Sequence, residues 1–382
     1  MSKKKRKVRT EFRKNRSQKT RGTNWTREFD EHGFKEKDPL QGERVSGKGD
    51  LTRRRTVMGE EIVTGDEPHL GIHLEIDESV CSPGRVLSVH GLSCRVRDEE
   101  NGAVYTCAVR RLLKTLTTDQ RHVVAAGDRV QFRTVDSSDL SEGIIERIEP
   151  RRGSLCRASR GRQHILVTNV DQVLIIASAA EPRLKPNLID RLLIASEKAM
   201  VKPIICINKI DLADPAELQP MVGVYSRMGY QVLLLSAETG FGVDRLRRWM
   251  KGCESVVAGQ SGVGKSSLLN AVDSELDLRV SEVSRETQKG RHTTTTARLF
   301  PLSFGGYVVD TPGIRQFQLW DVIPEEVAAY YRDVRPYVSL CRYPNCTHTH
   351  EEDCAVKNAV ADGRIDDRRY ESYCHLFCGD MV

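Results

Sequence analysis

The sequence predicts a three-part α/β chain: a small β-barrel, a doubly wound α/β domain, and a short metal-bound end that is mostly helical. Three observations predict it. Between Gly84 and Arg151, short segments alternate apolar and polar residues at period two, as strands with one buried face do. From about residue 165, continuous apolar runs such as Lys202-Pro-Ile-Ile-Cys-Ile-Asn208 alternate with helical stretches, the pattern of strands covered on both faces of a parallel sheet. After residue 340, cysteine and histidine recur at the spacing of metal ligands.

The chain has 382 residues, room for two or three domains. Its longest apolar run, Val173 to Ala180, is far too short to cross a bilayer, and no charged-then-apolar leader opens the sequence. The expectation is a cytoplasmic monomer with no membrane association. Eleven cysteines, an odd number and mostly isolated in apolar surroundings, exclude a disulfide framework. Charge is unevenly spread. Residues 1–60 hold 19 Lys and Arg against 9 Asp and Glu, while the rest carries more acid than base, so the excess positive charge is N-terminal. That segment, 1–78, is poor in apolar residues and is expected to be a disordered tail and linker. Its Lys3-Lys-Lys-Arg-Lys-Val8 suits an arm that touches RNA, and it also resembles a nuclear-localisation signal.

Residues 79–155 follow as the barrel. Segments beginning at Gly84, Ser93, Ala103, Ala126 and Gly143 give five strands, enough for a Greek-key barrel of the OB type, a common platform for RNA. In the α/β domain, 156–335, strands are expected at Asp171–Ala177, Lys202–Asn208, Tyr230–Ser236, Ser255–Ala258 and Gly306–Asp310, and a helix at Asn187–Ala199.

One stretch carries the chemistry. Gly259-Gln260-Ser261-Gly262-Val263-Gly264-Lys265-Ser266-Ser267, between an apolar strand and a helix, fits G-x-x-x-x-G-K-[ST]. Its glycines let successive backbone N–H groups converge on phosphate oxygens, with Lys265 reaching the β/γ-phosphates and Ser266 placed for Mg²⁺. Asn208-Lys209-Ile210-Asp211 ends a strand, where ligands of such sheets bind. A carboxylate there accepts from guanine N1–H and the 2-amino group, donors that adenine lacks, so the nucleotides expected are GTP and GDP. Ser236-Ala237-Glu238-Thr239-Gly240 fits the companion loop whose backbone N–H meets guanine O6. Asp310-Thr-Pro-Gly313 and the hydroxyl-rich Gly290-Arg-His292-Thr-Thr294-Thr-Thr296 read as the two switch segments. Asp310 is placed to hold Mg²⁺ through water, a threonine of 293–296 (Thr294 foremost) to ligate it, and the Gly313 N–H to meet the γ-phosphate.

The order of these motifs is unusual. Base recognition precedes the phosphate loop instead of following the switches, so the domain reads as a circularly permuted P-loop GTPase. Where many GTPases carry a water-orienting glutamine, this chain has Ile314, so slow hydrolysis alone is expected, with His292 a candidate replacement. Past the second switch, residues 336–382 contain Cys341-x4-Cys346-x-His348-x5-Cys354, four soft ligands suited to one closed, structural Zn²⁺ site. His350 competes with His348 for that role. Cys374 and Cys378 read as packing residues on a helix from Asp366 to Phe377.

Barrel, permuted GTPase and zinc cluster in that order resemble the RsgA (YjeQ) family of bacterial small-ribosomal-subunit biogenesis GTPases. The likeness runs from about residue 80 to the end, through the phosphate loop, Gly290-Arg-His-Thr-Thr-Thr, Asp310-Thr-Pro-Gly-Ile-Arg-Gln-Phe and the Cys/His cluster. The resemblance implies a late maturation factor that binds the 30S subunit and its 16S rRNA near the decoding region, is stimulated by that subunit, and leaves on hydrolysing GTP. It also implies zinc ligation by Cys341, Cys346, His348 and Cys354, and guanine reading by Asn208 through Asp211. The long basic tail departs from the family. Two other readings stay open: another permuted ribosome-assembly GTPase, large-subunit or nucleolar, and a GTP-binding RNA checkpoint with negligible turnover. Because the second switch leads straight into the zinc segment, its ordering is expected to reposition that segment against the barrel.

Overall fold

A computed structural model of the chain describes residues 7–11, 54–61, 72–74, 76–91, 93–110, 113, 123–135, 141–159, 162–278, 297–310 and 323–379. Near the N-terminus, Lys7–Glu11 (β1), Arg54–Glu61 (β2) and Ile72–Leu74 (β3) form a three-stranded antiparallel sheet where composition suggests disorder. In the Cα register Val8 stands opposite Val57, and Glu11 opposite Arg54.

The five expected barrel strands are Ser82–His90 (β4), Ser93–Asp98 (β5), Val104–Val109 (β6), Arg129–Val135 (β7) and Glu142–Ile148 (β8). They run in the order β4-β5-β6-β8-β7, and β7 pairs back onto β4, so the sheet closes with no free edge. Period-two alternation turns Val86, Val96, Cys107, Val130, Phe132 and Ile145 into its interior.

A hairpin of Ser154–Ser159 (β9) and Arg162–Thr168 (β10), not foreseen in the sequence, leads into the α/β domain. There Gln172–Ser178 (β11), Pro186–Lys198 (α1), Lys202–Asn208 (β12), Pro215–Arg227 (α2), Gln231–Leu234 (β13), Val243–Met250 (α3), Glu254–Ala258 (β14), Lys265–Val272 (α4), Arg298–Pro301 (β15) and Tyr307–Asp310 (β16) follow. The helices start where sequence chemistry favours it. Pro186 opens α1, and the Asp214 carboxylate caps α2 by accepting from the Ala216 N–H at 2.9 Å.

The strand order is β13-β12-β11-β14-β16-β15, parallel except for β15, an antiparallel strand that the sequence patterning does not mark. Numbered from the phosphate-loop strand β14, that order becomes 2-3-1-4-5-6. The permutation cuts the link between β16 and β11, strands that flank β14. One face of the sheet is covered by α1 and α2, through Ile189, Leu192, Leu193, Leu218 and Tyr225. The other is covered by α3 and α4, through Val243, Leu246, Leu268 and Val272.

Both flanking parts are anchored to this sheet by buried charge. On the barrel side, Arg298 of β15 pairs with Ser88 of β4, and Arg85 forms a buried ion pair with Glu254. Asp128 accepts from Arg151 Nε and Nη2, each at 2.8 Å, and from Thr168 Oγ1 at 2.7 Å. The C-terminal part holds Val327–Tyr330 (α5), Arg335–Val338 (α6), Ala355–Ala361 (α7) and Asp367–Cys378 (α8). Arg369 of α8, 1% exposed, meets Asp190 of α1 at 2.6 Å and Asp333 at 2.9 Å, and its guanidinium lies 4.2 Å from the centre of the Tyr331 ring. Tyr225 of α2 donates to the same Asp190 at 2.6 Å, and Ile194 of α1 joins the C-terminal core. The C-terminal part is therefore clasped to α1 as well as joined through the chain that leads from the second switch.

Candidate nucleotide site and metal cluster

The sheet reverses its direction of winding between β11 and β14, and the phosphate loop leaves β14 at that point. Gly259 fits there for lack of a side chain: a Cβ would lie 2.1 Å from the Ile176 carbonyl of the neighbouring strand. Its loop runs through Gln260, Ser261, Gly262 and Val263 to Gly264, whose φ of +86° begins α4. Lys265 opens that helix and folds back, its Nζ donating to the carbonyls of Gly259 at 3.0 Å and Gln260 at 2.6 Å. Those carbonyls hold the ammonium over the loop, from which it can transfer to phosphate oxygens. Ser266 and Ser267 lie half-buried in the first turn of α4.

The end of β12, the Ser236–Gly240 loop and the phosphate-loop motif are joined by one side chain. Asn208, 1% exposed at the end of β12, donates from Nδ2 to the Val263 carbonyl at 2.9 Å and accepts from the Ala237 N–H at 3.1 Å. A Cβ on Gly264 would come within 2.6 Å of that amide. Lys209 follows in the left-handed region, φ +62°, and turns the chain so that Ile210 and Asp211 enter a short 3₁₀ turn. The exposed Asp211 carboxylate accepts from Ser236 Oγ at 2.5 Å, and that oxygen accepts from the Thr239 N–H at 3.1 Å. Asn208, Asp211, Ser236 and Ala237 thus form one interlocked unit with the phosphate loop.

Sequence reasoning missed the loop after β11. Lys209 Nζ donates to the Glu181 carbonyl at 2.5 Å, and Ser178 bonds the Ala180 carbonyl. Arg183 and Lys185 share a cleft with Gln260 and Val263. No motif marks this loop. The signal available was topological, since the ends of β11 and β14 must adjoin where the winding reverses. Asp310 ends β16, beside β14. His292, Thr294 and Gly313, like Ile314, lie outside the described residues.

In the C-terminal part, one ligand atom each from Cys341, Cys346, His348 and Cys354 gathers within 4.8 Å of the others. Cys341 Sγ lies 3.8 Å from Cys354 Sγ, and His348 Nδ1 lies 3.3 and 3.5 Å from those two sulfurs. Two thiolates about 2.3 Å from a tetrahedral centre stand about 3.8 Å apart, so the donor set fits zinc. Burial holds the His348 imidazole below its ordinary pKa, in the neutral form that a metal takes. Tyr370 and Tyr373 of α8 donate at 2.8 Å to the carbonyls of His348 and Thr347, fixing the ligand loop from behind. His350 is excluded as the fourth ligand because its side chain is 80% exposed and points away to Glu351. Cys374 and Cys378 stand outside the group.

Comparison with known proteins agrees with this geometry. Residues 148–320 match the family described as RsgA GTPase. A curated protein from Sodalis glossinidius, named small ribosomal subunit biogenesis GTPase RsgA, is 40% identical over 301 residues, which is 77% of this chain and 84% of that protein. The solved structure of YjeQ from Thermotoga maritima is 35% identical with a TM-score of 0.62, over 78% of this chain and 98% of the other. That of YloQ, described as a circularly permuted GTPase, is 28% identical with a TM-score of 0.61, over 78% and 94% of the two chains. At this identity, over most of both chains, the chain belongs to the RsgA family of circularly permuted GTPases.

Proposed function

We propose that this GTPase serves late maturation of the small ribosomal subunit, holding 16S rRNA while GTP is bound and leaving when the subunit stimulates hydrolysis. The observation that carries this reading is the coupling of one rigid nucleotide unit to two flanks, the closed barrel through Arg85–Glu254 and the Cys₃His part through Arg369–Asp190. The names of the relatives supply the substrate class.

In this reading Asp211 takes guanine N1–H and the 2-amino group, while Ser236 keeps its carboxylate in register and the Ala237 loop supplies the N–H for O6. Lys265 and the loop amides hold the β- and γ-phosphates. Ser266, with Asp310 and Thr294, would ligate Mg²⁺, which neutralises charge that develops between those phosphates. The Gly313 N–H senses the γ-phosphate. Ile314 cannot orient water, so turnover by the chain alone is slow and His292 or the subunit supplies the missing group. The zinc is structural, because four protein ligands leave no open position. The protein works as a cytoplasmic monomer; among the described residues no helix is long and apolar enough to cross a membrane.

Binding of purified 30S subunits tests this. A non-hydrolysable GTP analogue should give affinity about 5- to 150-fold above that with GDP, the usual span of coupling between two sites. Equal affinity with the two nucleotides would end the proposal.

A further inference from the structure

Helix α3 carries a chemistry that the nucleotide site does not use. Its inner face, Val243, Leu246 and Met250, is buried against the sheet, while Arg245, Arg247, Arg248 and Lys251 are exposed. Two of these arginines lie over aromatic rings: Arg245 at 5.1 Å from the Trp249 centroid and Arg247 at 4.7 Å from that of Phe304. A third stack stands on β15, with Arg298 at 4.9 Å from the Phe300 centroid. Trp249, Phe300 and Phe304 all pack against the same core, so the three stacks share one side of the sheet. The zinc-bound part is clasped to α1 on the opposite side.

An arginine stem can cover apolar surface while its charged head stays in water, and the heads here are exposed. Among the described residues, no ion pair is formed by Arg245, Arg247, Arg248, Lys251 or Arg298, although arginines of the barrel and of the C-terminal part form them repeatedly. Ring stacking fixes the plane of a guanidinium while leaving its N–H groups outward, an arrangement suited to phosphate oxygens in a row.

We infer that α3 and β15 form an RNA-binding face that grips the phosphodiester backbone, a third point of attachment beside the two flanking domains. It rests on the ribosomal reading only for the identity of the RNA. Its place has a consequence for regulation, because β15 continues in the chain directly from the Thr-rich segment at 293–296 and pairs with the barrel through Arg298. RNA seated on this face therefore lies against the strand that anchors the first switch.

The test uses the full chain with two probes, purified 30S subunits and a naked A-form RNA hairpin, titrated over a range of salt. The neutral variant Arg245→Gln/Arg247→Gln/Arg248→Gln keeps helix propensity and side-chain length. It should bind the hairpin at least tenfold more weakly at low salt and flatten the plot of log affinity against log salt by roughly 2–3, about 0.7–0.9 for each phosphate left without its cation. Lysine at the same three positions keeps the charge and should preserve most of the slope. Basal GTP hydrolysis should be unchanged in both. Unaltered hairpin affinity and slope in the glutamine variant would overturn the inference, as would equal losses in the two variants, which would mark a packing role. Hairpin binding that depends on these arginines in a protein that ignores 30S subunits would support this face and sink the ribosomal reading.

Discussion

Replacing Asn208 with alanine severs the tie between the loop at Ala237 and the phosphate-loop motif at Val263. In the folded chain the Val263 carbonyl would lose a donor at 2.9 Å and the Ala237 N–H an acceptor at 3.1 Å, at a position only 1% exposed. Each buried group left unpaired costs about 1–3 kcal/mol. Loops can relax and admit water when no nucleotide is bound, so the loss should fall mainly on the bound state, at about 2–4 kcal/mol. That corresponds to GDP binding weaker by roughly 30- to 700-fold. Calorimetric titration with GDP measures it, with thermal unfolding as a check that the variant is folded. Asn208→Asp keeps an acceptor for Ala237 but turns carboxylate against the Val263 carbonyl, and should be no better than alanine. Gly264→Ala offers an independent route, since its new Cβ would press to 2.6 Å from the Asn208 amide, and should weaken GDP in the same range. A folded Asn208→Ala protein that binds GDP within threefold of wild type would refute the reasoning.

Three further outcomes follow from the same structure. If Asp211 is the double acceptor proposed for guanine, Asp211→Asn should lower GDP affinity by about two to four decades, while xanthosine diphosphate, with a carbonyl in place of the 2-amino group, should gain; competition binding with both nucleotides decides it. Cys354→Ser should abolish metal content, measured by mass spectrometry as about one zinc per chain in wild type, and open residues 341–354 to protease, yet leave GDP affinity within about threefold because the cluster lies in a separate core. Arg369→Ala takes the closest cation from Asp190, a position 0% exposed, leaving only the Arg368 guanidinium at 3.9 Å, and should cost about 3–5 kcal/mol in denaturant unfolding. Adding Asp190→Ala to it should cost less than the two single losses combined, since the fully buried Asp190 carboxylate is then gone and only Asp333 has lost a partner.

Much of this architecture was legible in the sequence because its signals are periodic or local. Alternation at period two marked every barrel strand, and continuous apolar runs marked β11, β12 and β14. The short strand β15, four residues with a single buried one, offered no period to read. The hairpin of β9 and β10 escaped because its sequence lies where barrel texture passes into α/β texture. In the site, residues with dedicated chemistry announced themselves. What stayed hidden was the meeting of remote segments: the Glu181 carbonyl under Lys209, and the Arg369–Asp190 clasp that joins residues far apart in the chain. A lone arginine on an amphipathic helix looks solvent-facing until the fold supplies its partner.

Whether the small subunit switches on a slow GTPase is tested most directly by steady-state GTP hydrolysis of the full chain, measured alone, with purified 30S subunits and with 50S subunits. Turnover should be slow alone, rise at least tenfold with 30S, and change little with 50S. Turnover that is equally fast alone, or raised as much by 50S subunits, would contradict the proposal.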